Sequence, residues 1–103
     1  MLGRNERMVV NVRLFGILAI LAGERMVAFE MESGATLGDV ITGLGKRFGR
    51  EFVDRIFRIP GEMHSYCQVF VNDAQVNDLD VELKCNGSPA EVGIILLMAS
   101  EGG

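Results

Sequence analysis

The sequence predicts a single α+β domain, in which a mixed sheet of about four to five strands carries one main helix on one face. The chain has 103 residues, enough for one hydrophobic core and too few for two domains. Hydrophobic periodicity gives the order strand, strand, helix, strand, short strand, strand. The last strand is apolar on both faces, which is typical of a central strand with a parallel neighbour.

Alternating apolar and polar side chains predict the first two strands, over residues 8–15 and 24–31. Gly16 and Gly23 bracket the connection between them, which is apolar and long enough for one helical turn. The two strands are therefore expected to pair antiparallel. Residues 1–7 show no periodicity and are expected to form a flexible N-terminal arm, so that the domain spans 8–99.

The main helix is predicted to begin after Thr36, whose hydroxyl is a good N-cap. Asp39 supplies the carboxylate of a capping box and suits the positive end of the helix dipole. One apolar stripe then follows at helical spacing: Leu37, Val40, Ile41, Leu44 and Phe48. Past Gly49, the apolar stripe is expected to continue as a second turn or as a kinked extension of the helix, with Phe52, Val53, Ile56 and Phe57.

The second half of the chain is predicted to be mostly strand and loop. In chain order it holds a loop over 59–65, a strand over 66–72, a short return strand at 75–76, a compact polar turn over 78–83, a loop over 86–89 and a last strand over 91–99. Asn72-Asp73 is a turn dipeptide and joins the two middle strands. A mobile tail is expected at 100–103.

The charge balance argues against non-specific nucleic-acid binding, which requires a basic surface. The net charge is −4, with nine basic and seven acidic residues in 1–59 but one basic and seven acidic residues in 60–103. The acidic second half either keeps the protein soluble or docks on a basic partner. Four arginines near the end of the helix extension are either solvated or meet a partner or a phosphate: Arg47, Arg50, Arg55 and Arg58.

The sequence contains no recognisable catalytic constellation, so we expect a protein without its own active site. Its one histidine, His64, lies three residues before Cys67, but a zinc site needs three or four ligands and no metal is expected. Cys67 and Cys85 cannot build a disulfide framework, which favours a reduced, cytoplasmic protein. The longest apolar run, 14–23, is too short to span a membrane.

The C-terminus is the chemically informative part of the chain. A strand apolar on both faces runs directly into Ser100-Glu101-Gly102-Gly103. The α-carboxylate of Gly103 is ionised at neutral pH and can attack the α-phosphate of ATP in an activating enzyme. Glycines at the last two positions let an extended chain enter a narrow channel, because they carry no Cβ.

These features resemble the ubiquitin-like sulfur-carrier family, and within it the molybdopterin synthase small subunit (MoaD) and the related ThiS. The resemblance spans 9–103 and rests on loose motifs whose order and spacing are fairly specific. Those motifs are Val10-x-Val-x-Leu-Phe-Gly-x-Leu-Ala-x-Leu-Ala-Gly23, Ala35-Thr-Leu-Gly-Asp-Val-Ile41, Val69-Phe-Val-Asn72 with Val76, and the final Gly-Gly. The residues before Gly-Gly and the longer 85–90 segment depart from the family pattern, which leaves the partner open.

The resemblance implies a β-grasp fold and a carrier that works as part of a sulfurtransferase complex. Gly103 would be adenylated and converted to a thiocarboxylate, with Gly102, Glu101 and Ser100 recognised as the tail. The implied partners are a ubiquitin-activating-type adenylyltransferase, which uses ATP, the molybdopterin synthase large subunit or an equivalent acceptor, and a sulfur donor such as a cysteine desulfurase or rhodanese. No bound cofactor is expected.

A sheet with one main helix on one face leaves its other face for water, for a partner or for a covering segment of the chain. We expect docking there, with Phe70, Leu97 and Met98 as apolar anchors. Molybdopterin synthesis is the first candidate pathway, because of the long helix and the overall length. The alternatives are a thiamin-type or other sulfur pathway, a ubiquitin-like protein modifier, and a plain β-grasp interaction domain.

Overall fold

The computed structural model describes residues 7–84 and 89–97, which form a mixed five-stranded sheet with helices on one face and a separate two-stranded hairpin. The elements in chain order are β1 (Arg7–Leu14), α1 (Ile17–Ala22), β2 (Met26–Glu32), α2 (Leu37–Phe48), α3 (Arg50–Ile56), β3 (Phe57–Ile59), β4 (Glu62–Met63), β5 (Cys67–Val71), β6 (Ala74–Val76) and β7 (Ala90–Leu96). The predicted α+β class is confirmed.

The order of strands across the sheet is β2-β1-β7-β5-β6, so β7 lies in the centre. It pairs parallel with β1, where Leu14 lies opposite Ile94, and antiparallel with β5, where Val69 lies opposite Ile94. β1 and β2 pair antiparallel, as their patterns predict. Apolar residues on both faces of β7 are thus explained by a central position with a parallel neighbour.

The core lies between one face of the sheet and α2 with α3. Val10 and Val12 of β1 are fully buried, as the alternation predicts, and Leu14 is 2% exposed. From the helices, the buried apolar residues are Leu18, Leu37, Val40, Ile41, Leu44, Phe52 and Ile56. The opposite face of the sheet, the open face, has no helix over it in the described residues.

The predicted capping box of α2 is present. The backbone N–H of Asp39 donates to Thr36 Oγ1 at 3.2 Å, and the backbone N–H of Thr36 donates to Asp39 Oδ2 at 2.9 Å. These two bonds satisfy backbone donors that no helical carbonyl can reach. The helix ends at Phe48, because Gly49 adopts φ 96°, a conformation that favours glycine.

Two predictions for the segment after Gly49 are wrong in detail. The extension is a separate short helix that ends at Ile56, and Phe57 has extended backbone and begins β3. The predicted loop over 59–65 contains a hairpin, since β3 pairs antiparallel with β4 around Pro60-Gly61. Gly61 has φ 85°, so the turn depends on a glycine there.

The Asn72-Asp73 turn joins β5 to β6, as predicted, with φ of 50° and 74° at the two residues. Positive φ at both central residues matches the right-handed twist of a hairpin. The Asn72 side chain also accepts a bond from the backbone N–H of Glu91 at 2.9 Å and donates to the carbonyl of Lys84 at 3.2 Å. Asn72 therefore fixes the start of β7 against this turn.

Several predictions lie outside the described residues. They concern the arm apart from Arg7, Cys85, most of the 86–89 loop, and the tail with Met98. β1 begins at Arg7, one residue before the predicted start. None of the helices described here has the length and apolar character needed to cross a membrane.

Candidate partner-docking surface

The end of β7 is held on both sides at the point where the chain leaves the sheet. On one side the parallel register pairs Leu14 of β1 with Ile94. On the other, β5 pairs Cys67 with Leu96, and the backbone N–H of Leu97 donates to the Tyr66 carbonyl at 2.7 Å. The chain that leads to the C-terminus therefore starts from an anchored position.

Apolar side chains cluster on the open face beside this point. Phe15 is 45% exposed, Phe70 is 37% exposed and Leu97 is 54% exposed, while Ile95 is half-buried. Register places them on one side, because Gly93 lies opposite Phe70 and Ile95 lies opposite Gln68 on the face away from the core. We call these five residues, Phe15, Phe70, Gly93, Ile95 and Leu97, the open-face patch.

The Phe15 ring lies over Gly93 on the central strand. A Cβ on Gly93 would stand 3.6 Å from Cε2 of that ring, so the aromatic side chain occupies the space above the glycine. Phe70 lies opposite Gly93 on the neighbouring strand. Phe15 and Phe70 therefore flank Gly93 on this face and form an aromatic surface there.

Polar groups of the open face form their own contacts. Arg13 Nε lies 3.6 Å from Glu91 Oε1, and Asn11 Nδ2 donates to Glu91 Oε2 at 3.2 Å. Gln75 donates its side-chain amide hydrogen to Gln68 Oε1 on the adjacent strand. Because these groups bond with one another, the apolar patch between them is the part of this face with the most to gain from a partner.

The structure describes two of the three predicted docking anchors. Phe70 and Leu97 are both exposed beside the end of β7, and Met98 lies outside the described residues, as do Ser100, Glu101, Gly102 and Gly103. Phe15 was not among the predicted anchors. The alternation of β1 contained the signal, because Phe15 follows Arg13 by two residues and so shares its face.

His64 and Cys67 lie near the same end of the sheet, and both line a pocket there. The His64 ring stacks on Tyr66 with centroids 4.5 Å apart and planes at 11°. Burial raises the pKa of the Cys67 thiol from 9.0 to about 11. Across residues 7–84 and 89–97, no three histidine, cysteine or acidic side chains come together as a metal site would need.

Comparison with known proteins adds the relatives of this fold. No protein-family model and no curated protein matches the sequence. Among solved structures, small archaeal modifier protein 1 (SAMP1) from Haloferax volcanii superposes with a TM-score of 0.73 at 22% identity, over 89% of this chain and 98% of the other. This likeness concerns the fold alone.

Two further structures are slightly more similar in sequence. The putative molybdopterin converting factor, subunit 1, from Pyrococcus furiosus has a TM-score of 0.70 and 26% identity, over 88% of this chain and 99% of its own. A chain of the Amycolatopsis orientalis BexX/CysO complex has a TM-score of 0.67 and 25% identity, over 88% of this chain and 98% of its own.

These neighbours are ubiquitin-like proteins of the sulfur-carrier and modifier type, and the chain shares their fold. The β-grasp architecture that the resemblance implies is confirmed. The neighbours are small carrier proteins rather than enzymes, and one of them is found in a complex with a partner.

Proposed function

We propose that this protein is a sulfur carrier whose C-terminal carboxylate, on Gly103, is adenylated and then converted to a thiocarboxylate. The sulfur is delivered to a cofactor precursor bound on a partner subunit, and molybdopterin biosynthesis is the proposed pathway. The protein supplies the reacting carboxylate and the surfaces that present it. The activating enzyme supplies the catalytic groups and uses ATP.

The chemistry needs only one group from this chain. An oxygen of the Gly103 carboxylate forms a bond to the α-phosphorus of ATP, and pyrophosphate leaves with the electrons of the broken bond. The acyl-adenylate is an electrophile, and hydrosulfide that attacks its carbonyl carbon displaces AMP and gives the thiocarboxylate directly. A persulfide of the donor gives an acyl disulfide when AMP leaves, and a second thiol of the donor then attacks the donor's sulfur, which releases the thiocarboxylate and leaves a disulfide on the donor. Gly102 and Gly103 have no Cβ, which lets this segment pass through a narrow channel to the nucleotide.

The observation that carries the proposal is the position of β7. It is the central strand, it is bonded to β1 and β5, and six residues after Leu97 the sequence ends in Gly102-Gly103. A carboxylate that must reach two partners in turn benefits from an anchored starting point and a short reach. If the two terminal glycines had no function, neither the anchored start nor the short distance from Leu97 would be needed.

The open-face patch supports the proposal because it offers both partners the same apolar surface. Phe15, Phe70 and Leu97 are exposed next to the end of β7, and aromatic and aliphatic side chains dominate binding energies at interfaces. We propose that Met98 joins them as an anchor. A partner that covers this patch brings its own catalytic site within reach of the residues that follow Leu97.

The molybdopterin pathway is favoured by the similarity to the Pyrococcus furiosus molybdopterin converting factor subunit at 26% identity. A twelve-residue α2 and the overall length point the same way. A thiamin-type or other sulfur pathway uses the same carrier chemistry and differs only in the acceptor. The acceptor is therefore identified by sulfur transfer to purified candidates, after the thiocarboxylate has been prepared.

The test is intact mass after incubation with ATP, a sulfur source and the ubiquitin-activating-type enzyme of the same cell. We expect the mass to increase by the difference between one sulfur and one oxygen atom. The matched control is the chain that lacks Gly103, which should keep its fold and show no increase. An unchanged mass for the full chain with every such enzyme of that cell would contradict sulfur carriage.

A ubiquitin-like modifier is the second candidate, because SAMP1, a modifier protein, shares the fold. Modification begins with the same adenylate but ends in an amide bond to a lysine of a target. It predicts a ladder of larger species on a denaturing gel, which disappears when Gly103 is deleted. A plain interaction domain instead predicts that deletion of Gly102-Gly103 changes neither partner binding nor growth.

A further inference from the structure

A groove lies between the end of β1, α1 and the start of β2. Its walls include Arg13, Phe15, Gly16, Ile20, Gly23 and Arg25. Ile20 is 75% exposed, the highest value among the large exposed apolar side chains of the described residues. The groove joins the open-face patch through Phe15, which lines both surfaces.

Ile20 lies on the outer face of α1, and this helix has no polar residue that could take that position. All six residues of this helix, Ile17–Ala22, are apolar, and only Leu18 is buried. An ordinary surface helix carries polar side chains on its outer face, because that face meets water. α1 presents an isoleucine instead, so an apolar side chain of a partner can gain buried area there.

The charges of the groove favour an acidic partner. Arg25 is exposed and has no ion pair in the part of the chain that the structure describes. Glu24, the acidic residue of the groove, is paired with Arg47 at 3.1 Å. Arg13 shares Glu91 with Asn11. The groove therefore offers a cation for which the described residues provide no carboxylate.

The groove also lies at the edge of the sheet where the C-terminal segment starts. β1 and β7 run parallel with Leu14 opposite Ile94, so Phe15, Gly16 and α1 follow β1 at the edge where β7 ends. α1 packs against β7 as well as against α3. A protein that receives the residues after Leu97 therefore approaches this groove at the same time.

We propose that the groove is a second docking site for the adenylating enzyme, and that it takes an apolar side chain of that enzyme flanked by a carboxylate. The apolar side chain packs on Ile20 and the carboxylate pairs with Arg25. This inference rests on the proposed function, because it names the enzyme that activates the C-terminus. It adds contacts at Ile20 and Arg25, which lie outside the open-face patch, although Phe15 lines both surfaces.

The test uses the full chain and the adenylating enzyme of the same cell in ATP–pyrophosphate exchange, with the chain as the varied substrate. We expect Ile20→Gln and Arg25→Glu each to raise KM for the chain about tenfold, the ratio that a single good interface contact supplies. The exchange rate at saturation should stay within about twofold, because the reacting carboxylate is unchanged. Gln keeps the helix, so Ile20→Gln removes apolar surface without breaking α1.

Two controls separate docking from other effects. Arg50→Glu makes the same change in charge at a side chain that is 91% exposed and outside the groove, and it should leave KM unchanged. Added salt should raise KM for the wild-type chain and have a much smaller effect on Arg25→Ala, because the ion pair is lost. Circular dichroism and thermal unfolding check that every variant is folded.

The outcomes distinguish the two proposals. In one outcome the wild-type chain supports exchange, while Ile20→Gln and Arg25→Glu show the same KM as the wild-type chain. That result would overturn the groove proposal and would not affect the sulfur-carrier proposal. The groove proposal also fails if Arg50→Glu raises KM as much as Arg25→Glu does. The rise in KM would then come from the change in the net charge of the chain and not from a contact in the groove. A wild-type chain that supports no exchange with any such enzyme of that cell overturns the proposed function and the groove proposal with it.

Discussion

The position of Cys67 determines the chemistry of its thiol. The residue is 5% exposed and lies opposite Leu96 on the core side of β5. Burial raises the pKa of the thiol to about 11, because the thiolate would lose its hydration. At neutral pH the side chain is therefore an uncharged, packed group, which supports a structural role and argues against a sulfur-carrying thiol in β5.

This environment predicts how stability depends on pH. The folded pKa of Cys67 is raised above its unfolded value, so its contribution to stability is complete below about pH 9 and is lost as pH rises through about 11. We expect the difference in unfolding free energy between the wild-type chain and Cys67→Ala to shrink between these pH values. Urea unfolding at a series of pH values measures this free-energy difference, and both chains carry Cys85→Ser. A constant difference would contradict the assigned cause.

The capping box of α2 shows what two local hydrogen bonds contribute to an element. Replacing Thr36 by Ala removes the acceptor for the Asp39 backbone N–H, which is 3.2 Å away in the wild-type chain. We expect a loss of about 1 kcal/mol in unfolding free energy, the usual value for an N-cap. Thr36→Ser keeps the hydroxyl and should lose much less. Equal losses from both substitutions would show that the methyl group, rather than the cap, matters.

The contact between α2 and α3 depends on a glycine. A Cβ on Gly45 would stand 2.7 Å from Cγ2 of Val53, closer than side chains approach. We expect Gly45→Ala to lose about 1 kcal/mol, because overpacking outweighs the gain in helix propensity. The double variant Gly45→Ala/Val53→Ala should lose less unfolding free energy than the sum of the two single losses, because the clash with the Val53 side chain is then absent. Additive losses, measured by urea unfolding, would rule out a direct contact.

At the scale of elements, sequence patterns predicted those features that depend on residues close together in the chain. The capping box at Thr36 and the alternation of β1 depend on near neighbours in sequence, and both are confirmed. The hairpin of β3 and β4 was not predicted, because strands of three and two residues carry almost no periodicity. The end of α3 at Ile56 was missed for a related reason, since Phe57 keeps the apolar stripe while its backbone is extended.

At the scale of the whole molecule, the candidate site combines features that sequence reasoning can and cannot reach. The central position of β7 was predicted from its two apolar faces, and Phe70, chosen from the sequence as a docking anchor, is exposed on the open face. The groove around Ile20 was not predicted, because a short apolar segment looks like core in a sequence. Its exposure depends on where the sheet ends, which is a property of the assembled fold.

A substitution in the open-face patch can separate an effect on docking from an effect on folding. Leu97→Asp places a charge on a side chain that is 54% exposed, so the fold should persist, whereas affinity for the adenylating enzyme should fall about tenfold or more. Isothermal titration of the enzyme with the full chain measures the affinity, and thermal unfolding measures the fold. Ile59→Asp is the matched control, since Ile59 is 48% exposed on β3, outside the patch, and should leave affinity unchanged.

An unfolded Leu97→Asp chain would mean that this side chain belongs to the core, and the open-face patch would then be defined wrongly. Equal affinity for wild-type chain and Leu97→Asp would remove the patch from the docking surface. The two surfaces contribute independently if Leu97→Asp and Arg25→Glu lower affinity by factors that multiply in the double variant. That result would describe an activating enzyme that holds the end of β7 from both the open face and α1, and so directs the Gly103 carboxylate toward its nucleotide.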